Sequence, residues 1–565
     1  MIGAAFAEII NIGAVLPLIA VLSDPSRIFR LPAAHPLINV LGVTAPHQLI
    51  LPLTIGFGLT AILSGGVRLL LLWANNRLSY AIGADMSISI YRRTLYQPYA
   101  VHASRNSSEV ISGISNKVNT VISIIVSLLT LISAIVMLVF IMGVLFVIDP
   151  LVALSAFCGF GLMYGVIIKF TQARMHENSQ RMATESTNLI KSLQEGLGGI
   201  RDVLIDGSQD VYCGIYSHAD RSLRRGQGNS QFVSQCPRYA MEALGMILIA
   251  TLALVLANQA HGITKAIPVL GALALGAQRL LPVLQLAYYS WSNILAGQVS
   301  LKDALKLLDQ PLPDDDGKPV AEPMPFKHAI SVVNLSFRYS DQVPYVLRNL
   351  DLVIKKGSRI GFIGVTGSGK STLLDIVMAL LDPTEGKIMI DGEALSQKNR
   401  RAWQAHIAHV PQAIFLADSS IEENIAFGVP AKKIDHERVR RAAQQAQISD
   451  MIETWPKKYQ TFIGERGIRL SGGQRQRIGI ARALYKQADV IIFDEATSAL
   501  DNKTEAAVMQ AIEELHGDLT VLIIAHRLTT LRTCDMIVEL DNSRIRRNGT
   551  YEEIVELADT MILAQ

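Results

Sequence analysis

Two different hydrophobic patterns divide the chain. In roughly the first 300 residues, apolar runs alternate with polar stretches, and each run has about the 20 residues that a helix needs to cross a bilayer. Lipid offers the backbone no hydrogen-bond partners, so such spans have to be helical. The pattern therefore predicts an α-helical membrane domain of six transmembrane helices. The six runs are Met1–Leu22, Leu49–Trp73, Val121–Ile148, Leu151–Phe170, Tyr239–Ala257 and Ile267–Ile294.

Basic residues predict how this domain is oriented. The loops between the second and third runs and between the fourth and fifth runs are rich in Lys and Arg. The opposite loops hold little more than Arg27, Arg30 and Lys265. Cytoplasmic loops carry the excess of Lys and Arg in membrane proteins. We therefore expect both ends of the membrane domain to lie in the cytoplasm.

A proline-rich stretch marks the domain boundary. Pro311, Pro313, Pro319, Pro323 and Pro325 exclude a helix or a sheet ladder there. We predict a membrane domain over residues 1–308, a linker over 309–325 and a soluble domain over 326–565. The first run begins at position 1 without the basic lead-in of a cleavable signal peptide. We expect a short first helix or a start further upstream.

Composition supports a membrane protein. Half of the 565 residues are hydrophobic and 18% are charged, whereas a soluble protein carries about 25% charged residues. This composition excludes a disordered chain, a coiled coil and a disulfide scaffold. The formal net charge of +3 is too small to indicate a nucleic-acid partner, so none is expected.

The soluble half contains a phosphate-binding pattern. A short strand, Arg359–Ile363, leads into G-x-x-x-x-G-K-S and then into a predicted helix, Thr372–Leu381. The glycines allow backbone N–H groups to surround phosphates, and the helix N-terminus adds a favourable dipole. Lys370 supplies a positive charge, and the Ser371 hydroxyl can reach Mg²⁺. The predicted phosphate contacts are Gly364, Gly367, Ser368, Gly369, Lys370, Ser371 and Thr372.

Two adjacent carboxylates follow a second buried strand. The apolar run Val490–Phe493 ends at Asp494 and Glu495. Adjacent residues of a strand point to opposite sides. We therefore expect Asp494 to contribute to the coordination shell of the metal ion and Glu495 to face the attacking water as general base.

A third pattern indicates a second phosphate contact. Ser471, Gly472, Gly473 and Gln474 precede a predicted helical run, Arg477–Leu484, and so form another helix N-terminus suited to phosphate. One nucleotide in one domain does not need two such sites. We infer that this second site covers a nucleotide held by another copy of the chain.

The order of these patterns resembles that of ABC transporters. Leu470–Gln474 is similar to their signature motif. Tyr339 resembles the aromatic residue that stacks on adenine, and Gln412 the glutamine that touches Mg²⁺ and the transmembrane helices. Asp501 resembles the D-loop aspartate, and His526 the switch histidine. The resemblance covers nearly the whole chain: a six-span exporter domain followed by an α/β P-loop nucleotide-binding domain.

The resemblance implies a half-transporter that hydrolyses ATP with Mg²⁺. Two chains would hold two ATP molecules between the phosphate loop of one and the signature of the other. Glu495, Gly472 and His526 are intact, which favours a homodimer. The catalytic groups implied are Glu495, His526, Lys370 and Gln412.

The sequence indicates the substrate only weakly. Arg68 and Arg279 lie in apolar runs and Arg238 stands at the start of one, where charges are costly and point to function. With the long first external loop and the stretch Ser108–Ile114, they resemble flippases of lipid-linked oligosaccharides in bacterial N-glycosylation. That implies an amphipathic, anionic lipid-linked saccharide or lipid, crossing a bacterial cytoplasmic membrane.

Other interpretations remain open at this point. The arginines could snorkel or pair within the bundle, and Arg238 stands i, i+4 from Glu242. The chain could export drugs or peptides with the same fold. It could also be an ATP-regulated channel or sensor, although the intact Glu495 argues against that interpretation.

Overall fold

The computed structural model divides into two compact units. One comprises residues 1–97 and 101–314, and the other comprises residues 98–100 and 315–565. The structure describes residues 45–148, 150–257, 262–312, 322–496, 502–513, 518–525 and 531–554, with a few positions before residue 45. The division between the units falls inside the predicted linker, whose bounds remain a prediction.

The first unit is built from long helices. Five of the six apolar runs lie in helices, and four of these helices continue far beyond the run; α4 starts only three residues before its run. Scattered positions before residue 27 are also helical. These continuations comprise the polar stretches between the apolar runs. In chain order the helices between residues 50 and 308 are α1 (Ile50–Leu95), α2 (Tyr99–Ser104, whose first two residues belong to the second unit), α3 (Ser107–Ser112), α4 (Val118–Ile148), α5 (Pro150–Gly198), α6 (Ile200–Ile205), α7 (Gln209–Ala257) and α8 (Gly262–Leu308).

Two helical segments in the described part of the chain are long and apolar enough to cross a membrane. They are Pro46–Leu95 and Ser107–Gly143. The second contains α3, a π-helical turn at Gly113–Lys117 and most of α4. The remaining predicted spans lie in or beside stretches that the structure describes only in part.

Helices α4 and α8 pack closely because α8 carries a glycine at the contact. A Cβ atom added at Gly297 would lie 2.6 Å from Cδ1 of Ile124 and 2.8 Å from Cγ2 of Thr120. Further along α8, Oδ2 of Asp303 accepts a hydrogen bond from Nζ of the buried Lys117 at 2.7 Å. This ion pair, with one buried partner, joins the π-helical turn that precedes α4 to helix α8.

A proline inside α7 is compensated by a neighbouring helix. Pro237 has no N–H, so the carbonyl of Val233 loses its helical hydrogen bond. The hydroxyl of Tyr288, on α8, donates to that carbonyl oxygen at 3.2 Å. Tyr288 also packs against Tyr164 of α5, with ring centroids 5.5 Å apart. The interruption in α7 is therefore satisfied by a tertiary contact.

The second unit contains two sheets. The larger has the order β10-β9-β3-β8-β7-β6, and all its pairs except β10–β9 are parallel. The smaller is antiparallel, with the order β2-β1-β4-β5. The strands are β1 (Ala329–Phe337), β2 (Leu347–Lys355), β3 (Arg359–Ile363), β4 (Glu385–Ile390), β5 (Glu393–Ala394), β6 (Ile407–Val410), β7 (Val490–Asp494), β8 (Thr520–Ile524), β9 (Met536–Asp541) and β10 (Arg544–Gly549).

Parallel strands of the large sheet are buried on both faces. β8 is buried throughout and β7 is buried up to Phe493, which explains their continuous runs of Val, Ile, Leu and Phe. The carboxyl ends of β3 and β7 lie at the same edge of the sheet. The helices of this unit are α9 (Lys370–Val377), α10 (Arg400–Gln404), α11 (Ile421–Ile425), α12 (His436–Gln445), α13 (Ser449–Glu453), α14 (Gly472–Lys486) and α15 (Asn502–Glu513).

Candidate nucleotide-binding site

The phosphate loop joins β3 to α9, as the sequence predicts. Gly364, Gly367 and Gly369 have φ values of 143°, 85° and 97°, which L-residues with side chains rarely adopt. A Cβ atom at Gly364 would lie 2.1 Å from the carbonyl oxygen of Leu540. Glycine is therefore required there by both conformation and space. Helix α9 begins at Lys370, two residues before the predicted start, and ends at Val377 rather than Leu381.

Polar atoms inside the loop are available to phosphate. Ser368 is 5% exposed, and its hydroxyl oxygen is buried without a hydrogen-bond partner in the described chain. Nζ of Lys370 donates to the carbonyl oxygens of Gly364 at 2.8 Å and Val365 at 3.0 Å. Burial lowers the pKa of Lys370, while the charges of Glu495 and Asp494 oppose that shift. An unpartnered hydroxyl and a buried ammonium suit a polyanionic ligand.

Ser371 and Asp494 meet beside the loop. Oγ of Ser371 donates to Oδ1 of Asp494 at 3.4 Å, so residues 123 positions apart in sequence are in contact. Burial raises the pKa of Asp494, and the charge of Glu495 raises it further. Hydroxyl and carboxylate oxygens are ligands for hard divalent cations. A cation between them would offset the cost of burying the Asp494 carboxylate.

Gln412 and Glu495 are also in contact. Nε2 of Gln412 donates to Oε2 of Glu495 at 2.6 Å. Glu495 lies beyond the end of β7 with φ of 51°, and its N–H donates to the carbonyl of Ile524 at 3.1 Å. Asp494 and Glu495 therefore have different partners, Ser371 and Gln412, and Glu495 lies outside the strand, so that strand alternation does not set its direction. The predicted roles of Asp494 and Glu495 remain predictions. A left-handed residue at the strand end directs the Glu495 side chain.

The predicted aromatic residue lies next to the loop. Tyr339 is 58% exposed, which leaves its ring open to a ligand. Its hydroxyl is 3.1 Å from Oγ1 of Thr372, the residue after the P-loop serine, and either oxygen can be the donor. Phe337 packs edge-on against Tyr339 with ring centroids 5.0 Å apart. The two contacts hold the Tyr339 ring near the phosphate loop.

The signature segment forms the start of α14. Ser471 is the N-cap: its Oγ accepts from the N–H of Gln474 at 3.3 Å, and its own N–H donates to Oε1 of Gln474 at 2.8 Å. This reciprocal pair is a capping box. Gly472 and Gly473 are inside the first turn, so the helix starts five residues earlier than predicted. Gln474 therefore has a structural role in addition to its predicted one.

Some predicted site residues fall outside the described residues. Asp501 and His526 are among them, and so is the side chain of Arg279, so their roles remain predictions.

Arg68 is exposed on α1. Arg238 lines a cavity of about 340 Å³ between α5, α7 and α8, where its Nε bonds to Oε1 of Glu242 at 2.9 Å. The pairing of Arg238 with Glu242 is the i, i+4 alternative that the sequence leaves open.

Sequence reasoning did not single out Asp375. This residue is partly buried on α9, and burial together with the charge of Asp494 raises its pKa to about 6. The signal was available, since a carboxylate four residues after the P-loop serine must lie on an adjacent turn of the same helix. Asp375 lies near the carboxylate of Asp494 only because the fold brings the end of β7 close to α9.

Known families match both halves of the chain. The family described as "ABC transporter" matches residues 347–498, which contain the phosphate loop and the signature. The family described as "ABC transporter transmembrane region" matches residues 12–261, which contain most of the long helices. The two matches correspond to the two compact units.

Two bacterial relatives and one solved structure extend these matches. The "ATP-dependent lipid A-core flippase" of Cupriavidus pinatubonensis is 32% identical over 401 residues, which are 69% of this chain and 66% of that relative. The protein of the same name from Alkalilimnicola ehrlichii is 32% identical over 409 residues, 70% of this chain and 67% of that relative. The alignments thus span about two thirds of these relatives.

The solved structure shares the fold over nearly its whole length. It is described as a bacterial Atm1-family ABC exporter with ATP bound, and it covers 97% of this chain and 96% of its own with a TM-score of 0.78 at 22% identity. That likeness confirms the predicted architecture, a helical transmembrane domain followed by an α/β nucleotide-binding domain. The chain belongs to the ABC transporter family.

Proposed function

We propose that two copies of this chain form an ATP-driven flippase for an amphipathic lipid-linked saccharide or glycolipid in the bacterial cytoplasmic membrane. The observation that carries the proposal is the meeting of four groups from three segments: Ser371 with Asp494 at 3.4 Å, and Gln412 with Glu495 at 2.6 Å. This arrangement suits hydrolysis of ATP and not binding alone. Ser371 and Asp494 supply oxygens that suit a metal ion, and Glu495 supplies a further carboxylate that can act as general base.

The chain's own residues divide the chemistry of hydrolysis. The loop from Gly364 to Gly369 and the ammonium of Lys370 would bind the phosphates. Ser371, Asp494 and Gln412 would hold Mg²⁺, which neutralises charge on the phosphates when bound. Glu495 would accept a proton from the attacking water, and the amide of Gln412 would orient its carboxylate. His526 and Asp501 keep the roles that the family resemblance implies.

A second copy of the chain supports the same site. The N-terminus of α14 carries an exposed Ser471 and two glycines in its first turn, which suits it to bind phosphate. The phosphate loop already supplies one helix N-terminus to the nucleotide. The α14 terminus would therefore act on the nucleotide of the partner subunit, which makes the homodimer the active species.

The relatives' names and the intramembrane polar groups support the substrate class. Both relatives are named for flipping lipid A-core, a glycolipid. Arg68 and Arg238 lie in the helical unit, with Arg279 predicted there, and guanidinium groups suit anionic head groups. Glu242 already offsets the charge of Arg238.

The proposal is tested by translocation in proteoliposomes. The wild-type chain should move a fluorescent polyprenyl-pyrophosphate oligosaccharide or a fluorescent lipid A-core analogue in the presence of ATP and Mg²⁺. Glu495→Gln should bind ATP but reduce hydrolysis at least about 100-fold, because it removes the general base. ATP hydrolysis without movement of either lipid would refute the substrate class and leave the ATPase in place.

A further inference from the structure

A second cavity in the helical unit is polar but carries no charge. It has a volume of about 550 Å³ and lies between α1, α4 and α8. That size is within the range of about 300–1,000 Å³ of small-molecule sites. The described residues that line it include three amides, Asn76, Asn119 and Asn293, and no acidic or basic side chain. Serine hydroxyls and two tyrosines, among them Tyr289, complete the polar lining.

The polar groups recur at helical spacing inside the apolar runs or within a few residues of their ends: Asn76 follows the run that ends at Trp73, and Asn119 precedes the run that begins at Val121. On α4, Asn119, Ser123 and Ser127 are each four residues apart, so their side chains share one face. Tyr289 and Asn293 repeat the spacing on α8, and Asn76 and Tyr80 repeat it on α1. Polar residues inside membrane helices are costly and usually face the bundle interior. Three such faces converge on this one cavity.

The amides of the cavity are not used by the protein itself. None of Asn76, Asn119 and Asn293 makes a side-chain hydrogen bond with another described residue. Each amide offers two donors and an acceptor oxygen. The cavity therefore presents many neutral donors and acceptors at once, which matches the hydroxyl groups of a sugar. A phosphate or carboxylate would find no charged partner among these residues.

The neighbouring cavity has a different character. Leu286 and Tyr289 line both cavities, so the two adjoin along α8. The neighbour is lined by Arg238, whose guanidinium pairs with Glu242. The charged groups thus stand on one side of the shared wall and the neutral hydrogen-bonding groups on the other. This separation suits a ligand whose saccharide part is distinct from its charged part.

We propose that the cavity formed by Asn76, Asn119 and Asn293 binds the uncharged saccharide portion of the transported lipid. The proposal rests on the proposed flippase function and adds to it the site and the chemistry of head-group selection. Tyr289 would offer its ring face and hydroxyl to the same sugar. The transporter would therefore select lipids by the uncharged hydroxyl groups of their saccharide, independently of any anionic group of the substrate.

The test uses the full-length dimer in lipid nanodiscs and three probes with the same alkyl chain. The probes are dodecyl maltoside, dodecyl phosphate and dodecyl tetra(ethylene glycol), and the measured quantity is the concentration that gives half-maximal stimulation of ATP hydrolysis. The variants are Asn76→Leu, Asn119→Leu and Asn293→Leu, which keep side-chain size but remove the amide. The matched control is Asn75→Leu, which changes the adjacent residue of α1 outside the cavity lining.

Each cavity variant should raise the half-maximal maltoside concentration about fivefold, the equivalent of about 1 kcal/mol for one lost hydrogen bond. The Asn75→Leu control should keep the wild-type value and the wild-type basal hydrolysis. The responses to dodecyl phosphate should change less than twofold in all variants. Thermal unfolding and size-exclusion profiles establish that each variant folds as a dimer.

Three results would overturn the inference. The first is a wild-type enzyme that responds to the maltoside no more than to the glycol ether. The second is a set of cavity variants that behave like Asn75→Leu. The third is an equal loss of response to maltoside and phosphate. Failure of the flippase function is recognised separately, since wild-type proteoliposomes would then move no glycolipid in a Glu495-dependent way.

Discussion

The side-chain amide of Gln412 lies 2.6 Å from Oε2 of Glu495, although 83 residues separate the two in sequence. Gln412 follows β6 and Glu495 follows β7, and these strands are parallel neighbours in the large sheet. Because both side chains leave the same edge, one can fix the orientation of the other. We therefore expect Gln412 to position the Glu495 carboxylate, in addition to its predicted role as a ligand of Mg²⁺.

Removing this contact should slow hydrolysis more than it weakens ATP binding. We expect Gln412→Ala to lower kcat about tenfold, the equivalent of about 1.4 kcal/mol, while KM for ATP changes less than about threefold. Steady-state phosphate release at several ATP concentrations separates the two constants. Gln444→Ala, at an exposed glutamine on α12, serves as the control. A rise in KM without a fall in kcat would contradict the positioning role.

Two glycines of the phosphate loop should differ in their tolerance of alanine. A methyl group at Gly364 meets the Leu540 carbonyl at 2.1 Å, whereas at Gly367 it meets nothing within 4 Å. Gly367→Ala should lower the free energy of unfolding by only about 1–2 kcal/mol, the cost of holding an alanine in a left-handed backbone conformation. Gly364→Ala should cost at least about 2 kcal/mol more and abolish nucleotide binding. Thermal unfolding and binding of a fluorescent ATP analogue measure both, and equal losses would show that space at Gly364 does not matter.

The carboxyl group of Asp375 should make stability depend on pH. Its pKa is raised from 3.8 to about 6 in the folded protein, so the folded state binds more protons than the unfolded state between these values. Stability should therefore fall as pH rises from about 4 to about 7, by about 1–2 kcal/mol after allowance for partial solvation.

Asp375→Asn should remove this pH dependence. The variant should melt a few degrees higher than wild type at pH 7.5, because about 1 kcal/mol shifts Tm by about 2–4 °C. At pH 4 the two should melt together. Tryptophan fluorescence of the full-length protein follows the transition, and Asp450→Asn, at an exposed carboxylate, provides the control. A parallel pH profile for wild type and Asp375→Asn would exclude the assigned cause.

The hydroxyl of Tyr288 should contribute more to stability while residue 237 is proline. This hydroxyl donates to the Val233 carbonyl at 3.2 Å and lies 3.4 Å from Oγ1 of Thr171. Tyr288→Phe leaves the Val233 carbonyl without a donor and should destabilise the protein by about 1–2 kcal/mol. In a Pro237→Ala background the backbone N–H at position 237 can bond to that carbonyl, so the same change should cost less than about 0.5 kcal/mol. Thermal unfolding of the four proteins gives the coupling energy. Additive effects would mean that the Tyr288 hydroxyl stabilises the protein through Thr171 and not through the Val233 carbonyl.

Local patterns were sufficient to predict much of the nucleotide site. The strand–loop–helix order around Lys370 and the buried strand before Asp494 follow from short-range periodicity and from glycine chemistry, and both are present. Element ends were less well predicted. Helix α14 starts at Gly472 rather than Arg477, because a capping box between Ser471 and Gln474 tolerates two glycines in the first turn.

By itself, the sequence determined the membrane half, the α/β half, the phosphate loop and the family, because each depends on composition or on spacing within about ten residues. Tertiary structure alone decided which distant groups meet. The contacts of Gln412 with Glu495 and of Tyr288 with Val233, and the neutral cavity at Asn119, depend on strand order and on helix packing. Periodicity says which face of an element is polar, but only packing says what that face meets.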